Sequence, residues 1–128
     1  MHSDSSRRSR GAQKIGEVLG QTPEQVEQSL GDVAPQLAKY VIETIYGEIY
    51  QSPTLDLRTR QIVTVAALAT LGTAAPQLRT HIGGALRCGV TREELVEIMM
   101  QLVPYVGVAA AINGVAACRE VFAVADKS

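Results

Sequence analysis

Apolar residues are spaced along this chain with the periodicity of α-helices. One helix face is formed by apolar side chains at positions i, i+3, i+4 and i+7, namely Leu95, Ile98, Met99 and Leu102. Residues 62–71 are apolar nearly all round, which is typical of a helix buried at the centre of a protein. A third apolar stripe, within residues 78–86, lies on the helix that carries His81. The pattern predicts an all-α fold.

Capping residues indicate where several of these helices begin and end. Thr22 predicts a helix start because a proline follows it, and Thr91 with Glu94 forms the capping box of another helix. We expect Pro76 to open the His81 helix and Gly89 to close it. Together with the apolar stripes, these signals predict a bundle of about six helices.

The segment from about residue 33 to residue 50 is predicted as one long helix that carries Glu43 and Tyr46. These two residues are three positions apart and therefore share a face. An acid beside a tyrosine on a mostly apolar helix is a candidate for a raised pKa and a catalytic role. The alternative is a glutamate that faces solvent or pairs with an arginine.

The two ends of the chain differ in character. Residues 1–10 are polar, rich in Ser and Arg and without periodicity, so we expect a flexible, solvated tail before a single domain over residues 11–128. The uncharged run over residues 102–117 is too short and too often interrupted by Gly and Pro to span a bilayer. We expect a buried helix there, and a close-packed or subunit-facing helix over residues 108–124.

Composition and charge narrow the function. Hydrophobic residues make up 46% of the chain and charged residues 20%, as in ordinary globular proteins, and the net charge of −1 favours neither nucleic acid nor membranes as partners. Cys88 and Cys118 have no metal-ligand or redox spacing, so we predict no metal site and a reduced, cytoplasmic protein. The abundance of small side chains favours tightly packed helices over a sandwich.

His81 is the main candidate for chemistry, since the other histidine, His2, lies in the predicted tail. Gly83 and Gly84 follow it, and each costs roughly 1 kcal/mol relative to Ala inside a helix. Such a pair suggests the close approach of another helix or of a ligand beside the imidazole. The alternative is a hydrogen-bonded histidine of the core.

Two arginines open the apolar helix that begins near residue 57. Arg58 and Arg60 lie beside the free backbone N–H groups of its first turn, an arrangement that suits an anion. Salt bridges to Glu43, Glu48 or Asp56 are the alternative, which we favour for Arg58. For Arg60 the two possibilities have equal weight.

Two stretches of sequence are similar to a known family. They read LDLRTRQIVTVAALATLG over residues 55–72 and QLRTHIGGALRCGVTREELVEIMMQLVPYVG over residues 77–107. They resemble the carboxymuconolactone decarboxylase family of the AhpD-like superfamily. The resemblance implies an all-α, AhpD-like helical bundle that forms a homo-oligomer, a hexamer or trimer, and a lyase of aromatic catabolism.

The resemblance also implies a reaction. A small lactone that bears a carboxylate loses CO2 and leaves a dienolate, which needs stabilisation and a proton but no cofactor. His81 would protonate the dienolate, and Glu43 would orient His81 or relay the proton. Arg60 would hold the substrate carboxylate, Tyr46 would shape the pocket, and Gln61 and Gln77 complete the predicted substrate-binding residues.

Two other functions are possible within this resemblance. Alkylhydroperoxidases of the superfamily use two cysteines and a relay glutamate, whose places fall on Ala74, Gln77 and Gln61, so thiol peroxidase chemistry fails for lack of thiols. The second alternative is a non-catalytic or stress-associated helical oligomer whose histidine pocket binds a ligand or is vestigial. A small-molecule carboxylate is the expected partner in the leading interpretation.

Overall fold

A computed structural model describes residues 3–127 of the chain, with side chains from residue 6 onward. All regular structure in this range is helical, which confirms the predicted all-α class. The contacts divide the chain into two compact units, one up to Asp56 and the other from Leu57. The single domain expected over residues 11–128 stays a prediction, and the two units are described separately.

The first unit contains three α-helices, a π-helical segment and a short 3₁₀ turn. Their bounds, in chain order, are α1 Ser3–Leu19, α2 Pro23–Leu30, α3 Pro35–Lys39, the π-helical segment Tyr40–Tyr46 and the 3₁₀ turn Ile49–Gln51. Thr22 caps α2 as predicted, since its side chain accepts a hydrogen bond from the Gln25 backbone and the Gln25 side chain accepts one in return. The core of this unit includes Ile15, Val18, Val26, Ala38, Ile42, Tyr46 and Tyr50.

The N-terminal segment differs from the prediction of a flexible tail. Residues 3–10 form the first half of α1, while Met1 and His2 lie outside the described residues. Arg8 donates hydrogen bonds to Glu27 at 2.7 Å and to Glu24 at 3.3 Å, and so ties α1 to α2. The prediction was wrong because the polar arginines bind acidic groups within the same unit, a tertiary contact that local periodicity does not reveal.

Two glycines allow α1 to lie very close to the π-helical segment. A Cβ atom built on Gly11 would stand 2.0 Å from the backbone oxygen of Ile42, and one built on Gly47 would stand 2.5 Å from the backbone oxygen of Arg7. Real Cβ atoms do not approach this closely. Glycine is therefore required at both positions for the backbones to pack as they do.

The long helix predicted for residues 33–50 is wrong in its form. The chain is α-helical only over Pro35–Lys39, then widens into the π-helical segment, and ends in the 3₁₀ turn. The π-helical segment contains four β-branched residues, which have low α-helical propensity because they lose side-chain freedom in a helix: Val41, Ile42, Thr44 and Ile45. Departures of this kind are frequent at functional sites.

The second unit is made of four longer helices. They are α4 Leu57–Leu71, α5 Ala75–Arg87, α6 Arg92–Val106 and α7 Val108–Lys127. Helix α4 packs against α5, α6 and α7, and α7 also packs against α5 and α6. The core they enclose includes Val65, Leu78, Ile82, Ala85, Val90, Leu95, Met99 and Cys118.

The predicted signals at the ends of α5 and α6 are largely confirmed. Pro76 lies in the first turn of α5, and Gly89 follows that helix with a φ of +92°. The Thr91–Glu94 capping box is formed in both directions, at 3.0 Å and 2.9 Å. Pro104, which the sequence suggested would end or kink this helix, lies inside α6, which continues to Val106.

Helix α7 is exposed where the sequence suggested burial. Its length and composition would allow it to cross a membrane, with a mean hydropathy of 1.5, but core helices of soluble proteins also meet these criteria. Only 22% of the apolar 18-residue stretch is buried. The prediction of a buried helix over residues 102–117 is therefore wrong for most of that stretch, and the subunit-facing position of residues 108–124 stays a prediction.

Candidate functional site

The side chains of His81 and Gln61 meet inside the second unit. Nδ1 of His81, on α5, lies 3.0 Å from Oε1 of Gln61, on α4, within hydrogen-bond distance. Gln61 is fully buried, at 0% exposure, whereas His81 is half-buried. The packing of α4 against α5 therefore brings the partly exposed side chain of His81 into contact with the buried amide of Gln61.

The position of Gln61 follows from the sequence of α4. Gln61, Val65 and Ala69 are spaced by four residues, share one helix face and are all buried. A polar amide within an otherwise apolar buried row needs a hydrogen-bond partner, because an unpaired one would cost about 1–3 kcal/mol. This signal was available in the sequence, yet the partnership with His81 was not predicted; Gln61 was assigned only to substrate binding.

Burial also changes the acidity of His81. Loss of solvent lowers the pKa of the imidazole below its usual value of 6.5. His81 is thus neutral at pH 7, and its cation is a stronger acid than a free imidazolium. Such a group can take up a proton from solvent and, once protonated, releases it readily.

Two other predicted site residues belong to the same unit. Gln77 is exposed and precedes His81 by four residues on α5, so both lie on one side of that helix. Arg60 is half-buried in the first turn of α4, and its backbone oxygen accepts a hydrogen bond from the Thr64 hydroxyl at 2.8 Å. The substrate-binding roles of both residues stay predictions.

Arg58 forms a structural ion pair. Its guanidinium donates to the carboxylate of Glu94, the residue that completes the capping box of α6. The hydrogen bond from the Thr91 backbone and the nearby guanidinium lower the pKa of Glu94. The salt bridge favoured for Arg58 is therefore present, but its partner is on α6 rather than being Glu43, Glu48 or Asp56.

Glu43 and Tyr46 lie in the π-helical segment of the first unit. The Glu43 carboxylate is nearly buried and lies 3.7 Å from the guanidinium of Arg7. Of the two alternatives given for Glu43, pairing with an arginine therefore agrees with the structure. Tyr46 is buried and its ring centroid lies 4.5 Å from that of Tyr50. The grouping of Glu43 and Tyr46 with His81 stays a prediction.

A small polar pocket adjoins Glu43 in the first unit. Its volume is about 190 Å³, and its lining consists of Arg7, Gln36, Lys39, Tyr40, Glu43 and Thr44. Two cationic side chains and one carboxylate thus share the pocket wall. Neither the pocket nor Arg7 was predicted from the sequence, because residues 1–10 were assigned to a flexible tail.

The glycine pair after His81 was expected to allow the close approach of a helix or a ligand. A Cβ atom added to Gly83 would meet only the end of the Arg87 side chain, at 3.6 Å, which is an ordinary contact. The expected close approach of a helix of the same chain is therefore wrong at this position, and the approach of a ligand stays a prediction. Gly84 is buried, as a residue on the inner face of α5 should be.

The structure offers little for metal or thiol chemistry. Among residues 3–127, there is no group of three or more His, Cys, Asp or Glu side chains that could hold a metal ion. Cys118 is buried, which raises the pKa of its thiol to about 11, so that it is protonated at neutral pH. Cys88 is a half-buried cysteine at the C-terminal end of α5.

Comparison with known proteins agrees with the resemblance noted in the sequence. Residues 35–120 match the model of the carboxymuconolactone decarboxylase family. The chain is 30% identical over 120 residues to 4-carboxymuconolactone decarboxylase of Acinetobacter baylyi, covering 93% of this chain and 89% of the relative. It is also 28% identical over 96 residues to an uncharacterised 15.0 kDa protein of Paracoccus denitrificans from the nqo9-nqo10 intergenic region, covering 74% and 72%. The chain belongs to the carboxymuconolactone decarboxylase family.

Proposed function

We propose that this protein is a cofactor-independent decarboxylase that acts on a small carboxylated lactone or a related carbonyl acid. The observation that carries the proposal is the similarity, over 93% of the chain, to a relative named 4-carboxymuconolactone decarboxylase. The half-buried His81 with its amide partner supports it, because the reaction needs a proton donor that solvent can recharge.

The reaction requires two kinds of help from the protein. When the C–C bond to the carboxylate breaks, CO2 departs and the electron pair is delocalised onto the lactone carbonyl as a dienolate. The developing charge needs a hydrogen-bond donor or a cation, and a ring carbon of the dienolate then takes up one proton. One proton is consumed for each CO2 released.

His81 is suited to deliver that proton. Its lowered pKa makes the imidazolium a stronger acid than a free histidine, and solvent returns the proton after each turnover because the side chain is partly exposed. Arg60 would bind the carboxylate of the substrate, and Gln77, on the same side of α5 as His81, would contact its polar groups. Glu43 would orient His81 or relay the proton, and Tyr46 would shape the substrate pocket.

The function is tested by measuring CO2 release from 4-carboxymuconolactone and from other carboxylated lactones. His81→Ala should abolish turnover while the helical circular dichroism stays unchanged. Thr80→Ala is the matched control, since the Thr80 hydroxyl is exposed and bonds to the backbone oxygen of Pro76 at 3.1 Å. Full activity of His81→Ala would refute the role of His81, and binding without CO2 release by the unaltered protein would indicate the non-catalytic, ligand-binding alternative.

Peroxidase activity is disfavoured by the chemistry of the residues present. Ala74, Gln77 and Gln61 stand where alkylhydroperoxidases place two cysteines and a glutamate. The protonated Cys118 thiol is a poor nucleophile at neutral pH. We therefore do not propose thiol-dependent reduction of peroxides.

We further propose that the protein is a cytoplasmic homo-oligomer, a hexamer or a trimer, in which α7 contacts a second copy of the chain. Val108, Ile112 and Val124 of α7 are each more than 60% exposed, as is Tyr105 at the end of α6. Large apolar side chains that are this exposed are frequent at subunit interfaces. Contact with another copy would bury it without a membrane.

A further inference from the structure

We propose that Gln61 is a positioning residue that holds one proton of His81 on Nδ1 and so confines proton transfer to Nε2. The assignment rests on the hydrogen bond between the two side chains. Its catalytic meaning rests on the proposed function, but the protonation pattern itself is a property of the protein without substrate. Gln61 thus acts through His81 and has no direct contact with substrate in this role.

The geometry determines which nitrogen carries the proton. Oε1 of Gln61 is a carbonyl oxygen and can only accept a hydrogen bond, so Nδ1 of His81, 3.0 Å away, donates. Because Gln61 is fully buried, water does not compete for this oxygen. The hydrogen bond persists whether the imidazole is neutral or cationic, since Nδ1 carries a proton in both states.

The remaining nitrogen, Nε2, is then the site where the proton is gained and lost. In the neutral ring it has a lone pair and accepts a proton from solvent. In the cation it donates that proton to the ring carbon of the dienolate, and the electron pair of the N–H bond returns to the nitrogen. The cycle is balanced without any further reactant, because solvent supplies the proton that the product retains.

An amide differs from a carboxylate at this position in its effect on acidity. A glutamate would stabilise the imidazolium by its charge and raise the pKa of His81, whereas the neutral amide orients the ring without doing so. Burial is the cause that lowers the pKa here. The charged side chains carried by α4 and α7, the helices packed against α5, are Arg58, Arg60, Arg119, Glu120, Asp126 and Lys127.

Three of these six charged side chains are engaged in ion pairs. Arg58 pairs with Glu94, Glu120 lies 3.8 Å from Arg79 of α5, and Asp126 lies 2.6 Å from Arg92. Arg60 also has a polar or electrostatic partner. The imidazole itself is hydrogen-bonded to the Gln61 amide.

The test is the tautomer of His81 observed by two-bond ¹H–¹⁵N correlation spectra of the full chain labelled with ¹⁵N-histidine. The chain has only two histidines, so a His2→Ala variant assigns the signals. Above its pKa, His81 should show the pattern of a protonated Nδ1 and an unprotonated Nε2. The opposite pattern would overturn the proposal, and since no substrate is present, this outcome is independent of whether the protein is a decarboxylase.

Two substitutions test the role of the amide. Gln61→Glu should raise the pKa of His81 by about one unit, which increases the imidazolium fraction at pH 7 by up to about tenfold. Gln61→Met, which keeps the length of the side chain but removes the acceptor, should yield a mixture of both tautomers. Gln101→Glu is the control, because it makes the same chemical change at an exposed site on α6 and should alter neither the pKa nor the tautomer.

The outcomes are decisive for the proposal. An unchanged pKa in Gln61→Glu, or an unchanged tautomer in Gln61→Met, would show that Gln61 does not position the ring. Where turnover is measurable, the alkaline limb of kcat/KM against pH should move upward with the pKa in Gln61→Glu. A purely structural role would lower activity at all pH values alike.

Discussion

At the scale of single residues, the most informative feature is a polar side chain in an apolar row. Gln61 occupies a position on α4 where Val65 and Ala69 continue the same buried face. Its amide is held there by the imidazole of His81 rather than by solvent. Burial of this pair makes the stability of the protein depend on the protonation of one histidine.

We expect the free energy of unfolding to fall as the pH is lowered through the range just below 6.5. In the folded protein the pKa of His81 is lowered, so between the two pKa values the unfolded chain binds more protons and unfolding is favoured by acid. The loss is about 1.4 kcal/mol for each unit by which the pKa is lowered.

Chemical denaturation at several pH values measures this dependence, and His81→Ala isolates the contribution of His81. The difference in stability between the unaltered protein and His81→Ala should grow with pH and level off above 6.5. A His2→Ala variant should retain the dependence. A difference that does not vary with pH would contradict a lowered pKa in the folded state.

Residue-level prediction from the sequence succeeded where the signal was local. The helix starts at Thr22 and Thr91 were predicted, because the residues that indicate them lie within three positions. The ion pair of Arg58 with Glu94 joins residues 36 positions apart, so its partner could not be predicted. The same holds for His81 and Gln61, although the isolated amide among apolar residues indicated that a partner must exist.

At the scale of elements, the contact between α1 and the π-helical segment depends on glycine. The backbone oxygen of Ile42 occupies the space that a side chain at Gly11 would need. Gly16 lies in the same helix and is exposed, and a Cβ atom built on it would have its nearest neighbour at 4.0 Å. The two glycines therefore offer a comparison within one helix.

Gly11→Ala should destabilise the protein by roughly 1–3 kcal/mol, because a backbone atom cannot move aside as a flexible side chain can. Gly16→Ala should be neutral or stabilising by up to about 1 kcal/mol, as expected for alanine in a helix. Thermal unfolding followed by circular dichroism measures both changes. Equal effects of the two substitutions would show that the close approach at Gly11 does not occur in solution.

Element prediction worked best for the second unit. Helices α4, α5 and α6 follow from apolar stripes, prolines and capping residues that act within a few positions. In the first unit, α1 was missed over residues 3–10 because its polar residues make their contacts with α2 and the π-helical segment. The π-helical segment was missed because its residues fit an ordinary helical pattern.

At the scale of the whole molecule, the distribution of exposed apolar side chains is the main feature. Helix α7 has a mean hydropathy of 1.5 and is mostly unburied. The sequence alone suggested a buried helix, because composition cannot distinguish a helix that packs inside its own chain from one that packs against another copy. This is the surface on which the proposed oligomer depends.

Ile112→Glu should dissociate the oligomer, since a carboxylate would be buried at the interface without a partner. Val33→Glu is the matched control, because Val33 is also strongly exposed but lies outside α7 and should leave the assembly intact. Multi-angle light scattering coupled to size-exclusion chromatography gives the mass of each variant. Oligomers of the same mass in both variants, or a monomeric unaltered protein, would contradict the proposed interface.

The contrast between the two cysteines makes the second unit suitable for site-specific labelling. Cys118 is sealed in the core and its thiol is protonated at neutral pH, whereas Cys88 is half-buried at the end of the helix that carries His81. A maleimide fluorophore would accordingly modify Cys88 in the native protein without any engineered residue. Its emission would then report on ligands that bind near the histidine, independently of whether those ligands react.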